Sequence, residues 1–227
     1  MVEGPTLVAE ALGAGVELIE VFHEPGADPA LLARLAGTPT FAVHDGVLGA
    51  VGDAVASQGM LAVAALPSTS LADVGDDAPL FVLVAVADPG NAGTLLRVAE
   101  ACGFGAVLCT AGSVDPFSPK AVRASAGSVF RVPVISGGEA AAVLEDVRAT
   151  GRRCVGTRAT DAPAYTEADL GGPLALVLGN EAHGLPASLG SHLDEWVRIP
   201  MAGEVESLNV AMAGTVLGFE VARRRRG

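Results

Sequence analysis

The sequence predicts an α/β protein of two units, the second built on a largely parallel sheet. Three observations carry that expectation. Residues 80–87 (LFVLVAVA) and 174–178 (LALVL) are unbroken apolar runs of strand length, as expected of parallel strands covered on both faces. Such runs alternate with segments of helical pattern, which is how βαβ units read. A polar, turn-rich stretch over 67–79 divides the 227 residues, and charge changes across it. Residues 1–78 hold eleven acidic residues against Arg34 alone, whereas 79–227 hold 15 acidic and 13 basic ones.

In the first unit, a helical pattern over 6–12 precedes an apolar run over 16–22 that reads as a strand. Residues 29–35 read as helix, 40–44 as extended, 46–55 as helix, and 60–65 as a buried strand. The second unit opens with the strand 80–87, a turn at Asp88-Pro89-Gly90-Asn91, and a helix over 92–102. A short strand at 106–109, a helix at 119–125, an extended segment at 130–135 and a helix at 139–150 follow. Strands at 153–157, 174–178 and 195–199 and a closing helix over 207–226 complete the pattern.

Composition narrows the possible chemistry. Half the residues are hydrophobic, enough for a packed core, and no apolar run reaches transmembrane length. The N-terminus lacks the basic-then-apolar pattern of a secretion signal, and three cysteines without metal-ligand spacing suit a reducing, cytoplasmic interior. A net charge of -12 argues against a general nucleic-acid coat, although most of that acidity belongs to the first unit. The four histidines, at 23, 44, 183 and 192, form no HExxH pair, so no metal is expected. Gly103-Phe104-Gly105 lies between a helix and a strand and lacks the third glycine of a dinucleotide fingerprint, and no phosphate-binding G-x-x-x-x-G-K-[ST] loop occurs.

Ligands of open parallel sheets collect at the carboxyl ends of strands, and three segments there are unusual. The first, residues 88–97, carries Asn91 and then Arg97 on the following helix. The second runs from the strand 174–178 into Gly179-Asn180-Glu181-Ala182-His183-Gly184. The third joins Ile199-Pro200-Met201 to Ser207-Leu208-Asn209, with Ser207 suited to cap the last helix and Asn209 inside its first turn. Taken singly, Asn91 reads as a turn residue, Arg97 as half of a surface ion pair, Ser207 as a cap and His183 as a surface residue or a site liner. The three in order say more.

Together they resemble the three motifs of the SpoU/TrmH family of the SPOUT superfamily, RNA ribose 2′-O-methyltransferases that use S-adenosyl-L-methionine. The resemblance covers residues 80–226, while 1–66 resemble the family's L30e-like substrate-binding domain at Glu3-Gly4-Pro5, at residues 8–12 and at Gln58-Gly59-Met60. Relatives often carry a further helix and strand before that Glu-Gly-Pro segment, so the first unit is expected to start short.

The resemblance implies a trefoil knot at the C-terminal end of the second unit and a homodimer formed through it. It implies a catalytic set of Asn91, Arg97, Glu181, Ser207 and Asn209. It also implies a cofactor set of Thr157, Leu178, Gly179, Asn180, Gly184, Ile199, Pro200, Met201, Ser207 and Leu208. A glycine at 179 suits close approach of the cofactor to the backbone. The family mechanism makes the arginine at this position the base. Because a guanidinium holds its proton in proteins, the chemistry favours Arg97 binding a phosphate and stabilising alkoxide charge, with Asn91 and Glu181 orienting it. Ribosomal RNA is the favoured substrate. A transfer-RNA methyltransferase, or a non-catalytic RNA- or ribosome-binding protein on the same scaffold, is the alternative. Phosphate contacts are expected from Arg123, Arg131, Arg152, Arg153 and Arg158, with the arginine run 223–226 either an RNA contact or a solvated helix end.

Overall fold

A computed structural model describes residues 1–52, 58–203 and 207–226. The N-terminal part contains β1 (Val2–Glu3), α1 (Pro5–Gly13), β2 (Leu18–His23), α2 (Pro29–Arg34), β3 (Thr40–Ala42), α3 (Val47–Val51) and β4 (Met60–Ala64). Its sheet runs β1-β4-β2-β3, with β4 antiparallel to both neighbours and β3 parallel to β2. The two-residue β1 has no periodicity to betray it in the sequence. The helix expected over 46–55 spans 47–51, and residues 53–55 lie outside the described ones.

The remainder alternates as expected. In order come β5 (Leu80–Leu83), α4 (Pro89–Cys102), β6 (Ala106–Cys109), α5 (Pro119–Ser125), β7 (Val134–Ser136), α6 (Ala140–Ala149), β8 (Arg153–Thr157), β9 (Leu174–Leu178), β10 (Glu195–Val197) and α7 (Val210–Arg226). Six parallel strands run β10-β8-β9-β5-β6-β7. From β5 the chain builds outward through β6 and β7, then returns to build the other half from β8, β9 and β10. The order therefore reverses between β5 and β9, and the loops leaving those neighbours diverge.

The core follows the two-residue period of the central strands. Phe81 and Leu83 of β5 and Leu174, Leu176 and Leu178 of β9 face the side covered by α4 and α7. Leu80, Val82, Ala175 and Val177 face the other, where Leu144 and Val147 of α6 pack. On the first side a Cβ at Gly214 of α7 would sit 2.3 Å from Leu95 Cδ2 and 2.9 Å from Leu178 Cδ1, so that glycine lets α7 lie close on α4 and β9.

Three expected boundaries move for local reasons. β5 ends at Leu83 because Ala85 adopts φ 53°, a left-handed turn that an extended reading of 80–87 misses. α4 begins at Pro89 rather than Ala92, because Asp88 caps it and Pro89 is preset for the first helical position. The extended segment read at 130–135 is half turn: Ser128–Phe130 form a 3₁₀ turn, and only Val134 onward joins the sheet.

The N-terminal part is joined firmly to the rest. One buried apolar cluster runs from Val2, Leu7 and Val8 through Val122 and Val129 to Phe81. Arg123 of α5 pairs with Glu3, and Arg131 pairs with Glu10 and Glu100. The stretch read as a linker is docked as well. Val74 is buried, and the buried guanidinium of Arg152 donates to the carbonyls of Ala78 and Gly75 and to Thr150 Oγ1. Burial lowers that guanidinium's pKa from its ordinary value, against the opposing pull of Asp76 and Asp77.

Candidate active site

Where β5 and β9 part, three distant segments meet through one carboxylate. Glu181 accepts hydrogen bonds from Ala87 N and Asp88 N at 3.1 Å each and from Asn91 Nδ2 at 2.9 Å. Asn91 in turn accepts from Asn209 Nδ2 at 3.0 Å. The loop after β5, the head of α4, the loop after β9 and the approach to α7 are thereby tied together. With its nitrogen given to Glu181 and its oxygen accepting from Asn209, the Asn91 carboxamide has one orientation. Burial alone would raise the Glu181 pKa, but the bonds from Asn91, Ala87 and Asp88 outweigh it and lower the value below the ordinary carboxylate range.

Local capping sets this geometry. Asp88 Oδ1 accepts from Asn91 N at 2.8 Å, which starts α4 and fixes where Asn91 stands. Asn209 Oδ1 accepts from Ala211 N at 2.9 Å and Met212 N at 3.3 Å. Asn209, and not Ser207, is thus the cap of α7, which begins at Val210 and leaves Ser207 exposed ahead of it. Asn209 fits the helix and spans to Asn91 with one side chain.

Asn180 folds the second segment. Its Nδ2 donates to Ala85 O at 2.8 Å, while its Oδ1 accepts from Ala182 N and His183 N. Asn180 and Gly184 also exchange backbone hydrogen bonds, closing a tight hairpin with Glu181 at its head and His183 exposed. Gly179 is required by that hairpin: a Cβ there would lie 2.3 Å from Gly184 C and 2.4 Å from Leu185 N. The close approach anticipated at 179 is therefore made by the chain's own backbone.

The expected catalytic set divides. Asn91, Glu181 and Asn209 form one hydrogen-bonded group, while Arg97 lies on an exposed part of α4, in a shallow depression with Thr94, Val98, Ser128 and Phe219. Among the expected cofactor residues, Thr157 and Leu178 stand at the carboxyl ends of the neighbouring strands β8 and β9, and Ile199 follows two residues after the end of β10 at Val197. Thr157 Oγ1 donates to Val177 O at 3.1 Å, and Leu178 is fully buried, its carbonyl accepting from Val84 N. Ile199, Met201 and Leu208 are half-buried, and Pro200 is exposed. Sequence reasoning missed Asp88 and the backbone of Ala87. The first is legible as an Asp-Pro helix start; the second, a backbone donor, leaves no mark in the sequence.

The side chains present suit a sulfonium cofactor. This stretch of the sheet edge offers apolar Ile199, Met201 and Leu208 for a purine and an ionised carboxylate nearby, with no cation in the network to repel positive charge. The described residues hold no cluster of His, Cys, Asp and Glu fit for a metal ion. The thiols of Cys109 and Cys154 are pushed up to about 12, first by burial, and are inert core groups. No described helix is long and apolar enough to cross a membrane.

Residues 78–219 match the profile of the SpoU rRNA Methylase family. The chain is 31% identical over 222 residues to the 23S rRNA (guanosine(2553)-2′-O)-methyltransferase RlmP of Bacillus subtilis, covering 97% of this chain and 87% of that one. Its fold matches the crystal structure of an AdoMet-bound rRNA methyltransferase from Sinorhizobium meliloti with a TM-score of 0.87 and 30% identity, over 97% of this chain and 85% of that one. It also matches the SpoU methyltransferase AviRb from Streptomyces viridochromogenes, with a TM-score of 0.88 and 26% identity over 99% and 88% of the two chains.

Proposed function

The chain belongs to the SpoU rRNA methylase family, and we infer that its work is methyl transfer from S-adenosyl-L-methionine to a ribose 2′-hydroxyl of RNA, ribosomal RNA before transfer RNA. The observation that carries this reading is the Glu181–Asn91–Asn209 group at the point where the strand order reverses. That group holds a carboxamide in one orientation with partners 90 and 118 residues away, as a preorganised site requires.

Residues 157, 178–180, 184, 199–201 and 207–208 form the cofactor cradle in this reading, through backbone groups and the half-buried side chains of Ile199, Met201 and Leu208. Bound there, the cofactor supplies an electrophilic methyl group and leaves as the neutral thioether. The protein's part is to bring a weakly acidic hydroxyl in line with that methyl group and to stabilise the charge that develops on the hydroxyl oxygen as its proton passes to water. Arg97 serves that second need and holds the adjoining phosphate. Ser207 is exposed and free to contact the ribose. Glu181 and Asn91 keep the edge of the site rigid.

Arg97 stands apart from the others within one chain, and a homodimer resolves this. Met212, Val216 and Phe219 of α7 are 61%, 36% and 50% exposed, an apolar stripe along one face of the helix. Arg97 lies beside Phe219, so two copies joined across the stripe carry each Arg97 to the shared interface. The C-terminal knot belongs to the same reading, as does a division into a substrate-binding domain (1–66), a connecting segment (67–79) and a catalytic domain (80–227) in a cytoplasmic enzyme.

The test is tritiated methyl transfer to total ribosomal and transfer RNA, followed by mapping of the modified ribose, with Arg97→Lys alongside wild type. We expect incorporation into ribosomal RNA and a loss of two orders of magnitude or so in the variant, the size typical of an electrostatic stabiliser. No transfer together with no calorimetric binding of S-adenosylmethionine refutes the enzyme. Near-wild-type turnover by the lysine variant refutes the role of Arg97.

A further inference from the structure

The cations of this chain are mostly engaged within it. Arg123, Arg131, Arg148 and Arg153 pair with carboxylates on other elements. Arg152, Arg158 and Arg198 are bound to backbone carbonyls, and Arg158 also lies over the ring of Trp196. Of the arginines expected to line a groove, Arg152 is buried and Arg123, Arg131 and Arg153 are engaged in ion pairs, while Arg158 is exposed and bonds locally to Asp161 O. Among the described residues only Arg34, Arg97, Lys120 and Arg225 make no hydrogen bond or ion pair.

One place departs from this economy. α7 packs against the core as far as Ala222 and then continues for one more turn, in which Arg223, Arg224, Arg225 and Arg226 are all exposed. Four guanidiniums there face a single carboxylate of α7. Arg223 takes Glu220 through both Nε and Nη2, at 2.8 and 2.7 Å, and Arg224 Nε shares Oε1 at 2.8 Å. Arg224 Nη2 reaches Thr166 O, and Arg226 Nε reaches Ala222 O. Glu220 thus orders two of the planar forks without neutralising the turn, and every one of the four keeps unpaired N–H groups. A helix end attracts cations with only about half a charge, which four arginines far exceed.

We propose that this arginine turn is the grip for the RNA sugar–phosphate backbone, taking phosphates well away from the ribose being modified. The head of α7 is tied to Asn91 by Asn209. Arg225 lies fifteen residues beyond Val210, which at 1.5 Å per residue is roughly 22 Å along the helix. Phosphate contacts position a nucleic acid without reading it, so the grip supplies affinity and register, and specificity is left to the site. The inference rests on the reading of the chain as an RNA methyltransferase.

The test uses the full chain, a fluorescein-labelled RNA hairpin as binding probe, and the double variant R225Q/R226Q, neither residue of which takes part in an ion pair. Two lost phosphate contacts should lower the slope of log affinity against log salt by about 1.4 to 1.8. The KM for ribosomal RNA in the methylation assay should rise several-fold. Arg34→Gln, on the acidic N-terminal part, should leave the slope where it is. A slope unchanged in R225Q/R226Q, or lowered equally by Arg34→Gln, overturns the grip while leaving the enzyme reading intact. A wild type that shows the slope and its loss but transfers no methyl group overturns the enzyme reading and leaves the grip.

Discussion

Glu181→Gln is the sharpest probe of the site, because the carboxylate accepts three hydrogen bonds and the substitution keeps its shape. One oxygen takes two donors, Asp88 N and Asn91 Nδ2, and the other takes Ala87 N. A carboxamide can place its oxygen at only one of the two positions. Held where it keeps two bonds, it turns an NH₂ toward the Ala87 N–H, so one charge-assisted bond is lost and two become neutral ones. Bonds to a charged group contribute about 1.5–3 kcal/mol and neutral ones about 0.5–1.5 kcal/mol, which puts the loss in the fold at several kcal/mol before solvent is considered. The carboxylate is exposed, so water accepts the released donors, and about 1–3 kcal/mol is the expected destabilisation. Combining Glu181→Gln with Asn91→Ala in a double-mutant cycle by urea unfolding should give a coupling near 1 kcal/mol, since the two share a bond. Glu181 is depressed in the folded state, so its contribution is present above the ordinary carboxylate pKa of 4.5 and fades as pH falls below it. The gap between wild type and Glu181→Gln should narrow accordingly on acidification. Additivity within about 0.3–0.5 kcal/mol would show that the Glu181 and Asn91 side chains do not act as a unit.

Three further outcomes are expected. Gly179→Ala forces a Cβ to 2.3 Å from the Gly184 backbone, so the Glu181 hairpin must shift; about 1–3 kcal/mol of stability should go with most calorimetric affinity for S-adenosylmethionine, and unaltered affinity would count against the cradle. Phe219→Asp places a charge on the apolar stripe of α7 and should convert a dimer into monomers in sedimentation velocity; a dimer that persists removes that face from the interface. Glu220 is held at about 2, first by its hydrogen bonds to Arg223, so stability it contributes above pH 4.5 is lost as pH falls toward 2; acid unfolding of Glu220→Gln should be less steep than that of wild type across that window, and identical curves would refute the assignment.

Most of the second sheet was legible because its strands are buried on both faces and announce themselves as continuous apolar runs. β6, β8 and β9 fall where the pattern puts them. The errors cluster where a single side chain decides the backbone. Ala85 turns the chain out of β5, with Asn180 holding its carbonyl from 95 residues away, and nothing local signals it. Ser207 satisfied the rule for a cap, but Asn209 won because it also had a partner in Asn91. The residue types of the site were visible as three motifs. Their division into a bonded group and a separate arginine depends on which faces of α4 and α7 turn toward each other, and that is a tertiary property. Charge counting gave the right asymmetry between the two parts of the chain, yet not the fate of individual arginines, which depends on what lies opposite each one.

The bond between Asn91 and Asn209 closes a loop of 118 residues, and this bears on when a working molecule comes into being. Contacts of such separation are entropically late, because the intervening chain must already be ordered before they repay its closure. During synthesis the segment carrying Asn91 emerges 118 residues ahead of the one carrying Asn209, so a growing chain can complete its first strands and helices while the carboxamide oxygen of Asn91 still faces water. Only docking of α7 fixes it. The same helix carries the apolar stripe and the arginine turn. On the proposed reading, the chemistry, the pairing with a second copy and the purchase on RNA all wait on the docking of that one helix, so a nascent chain that still lacks it can do none of them.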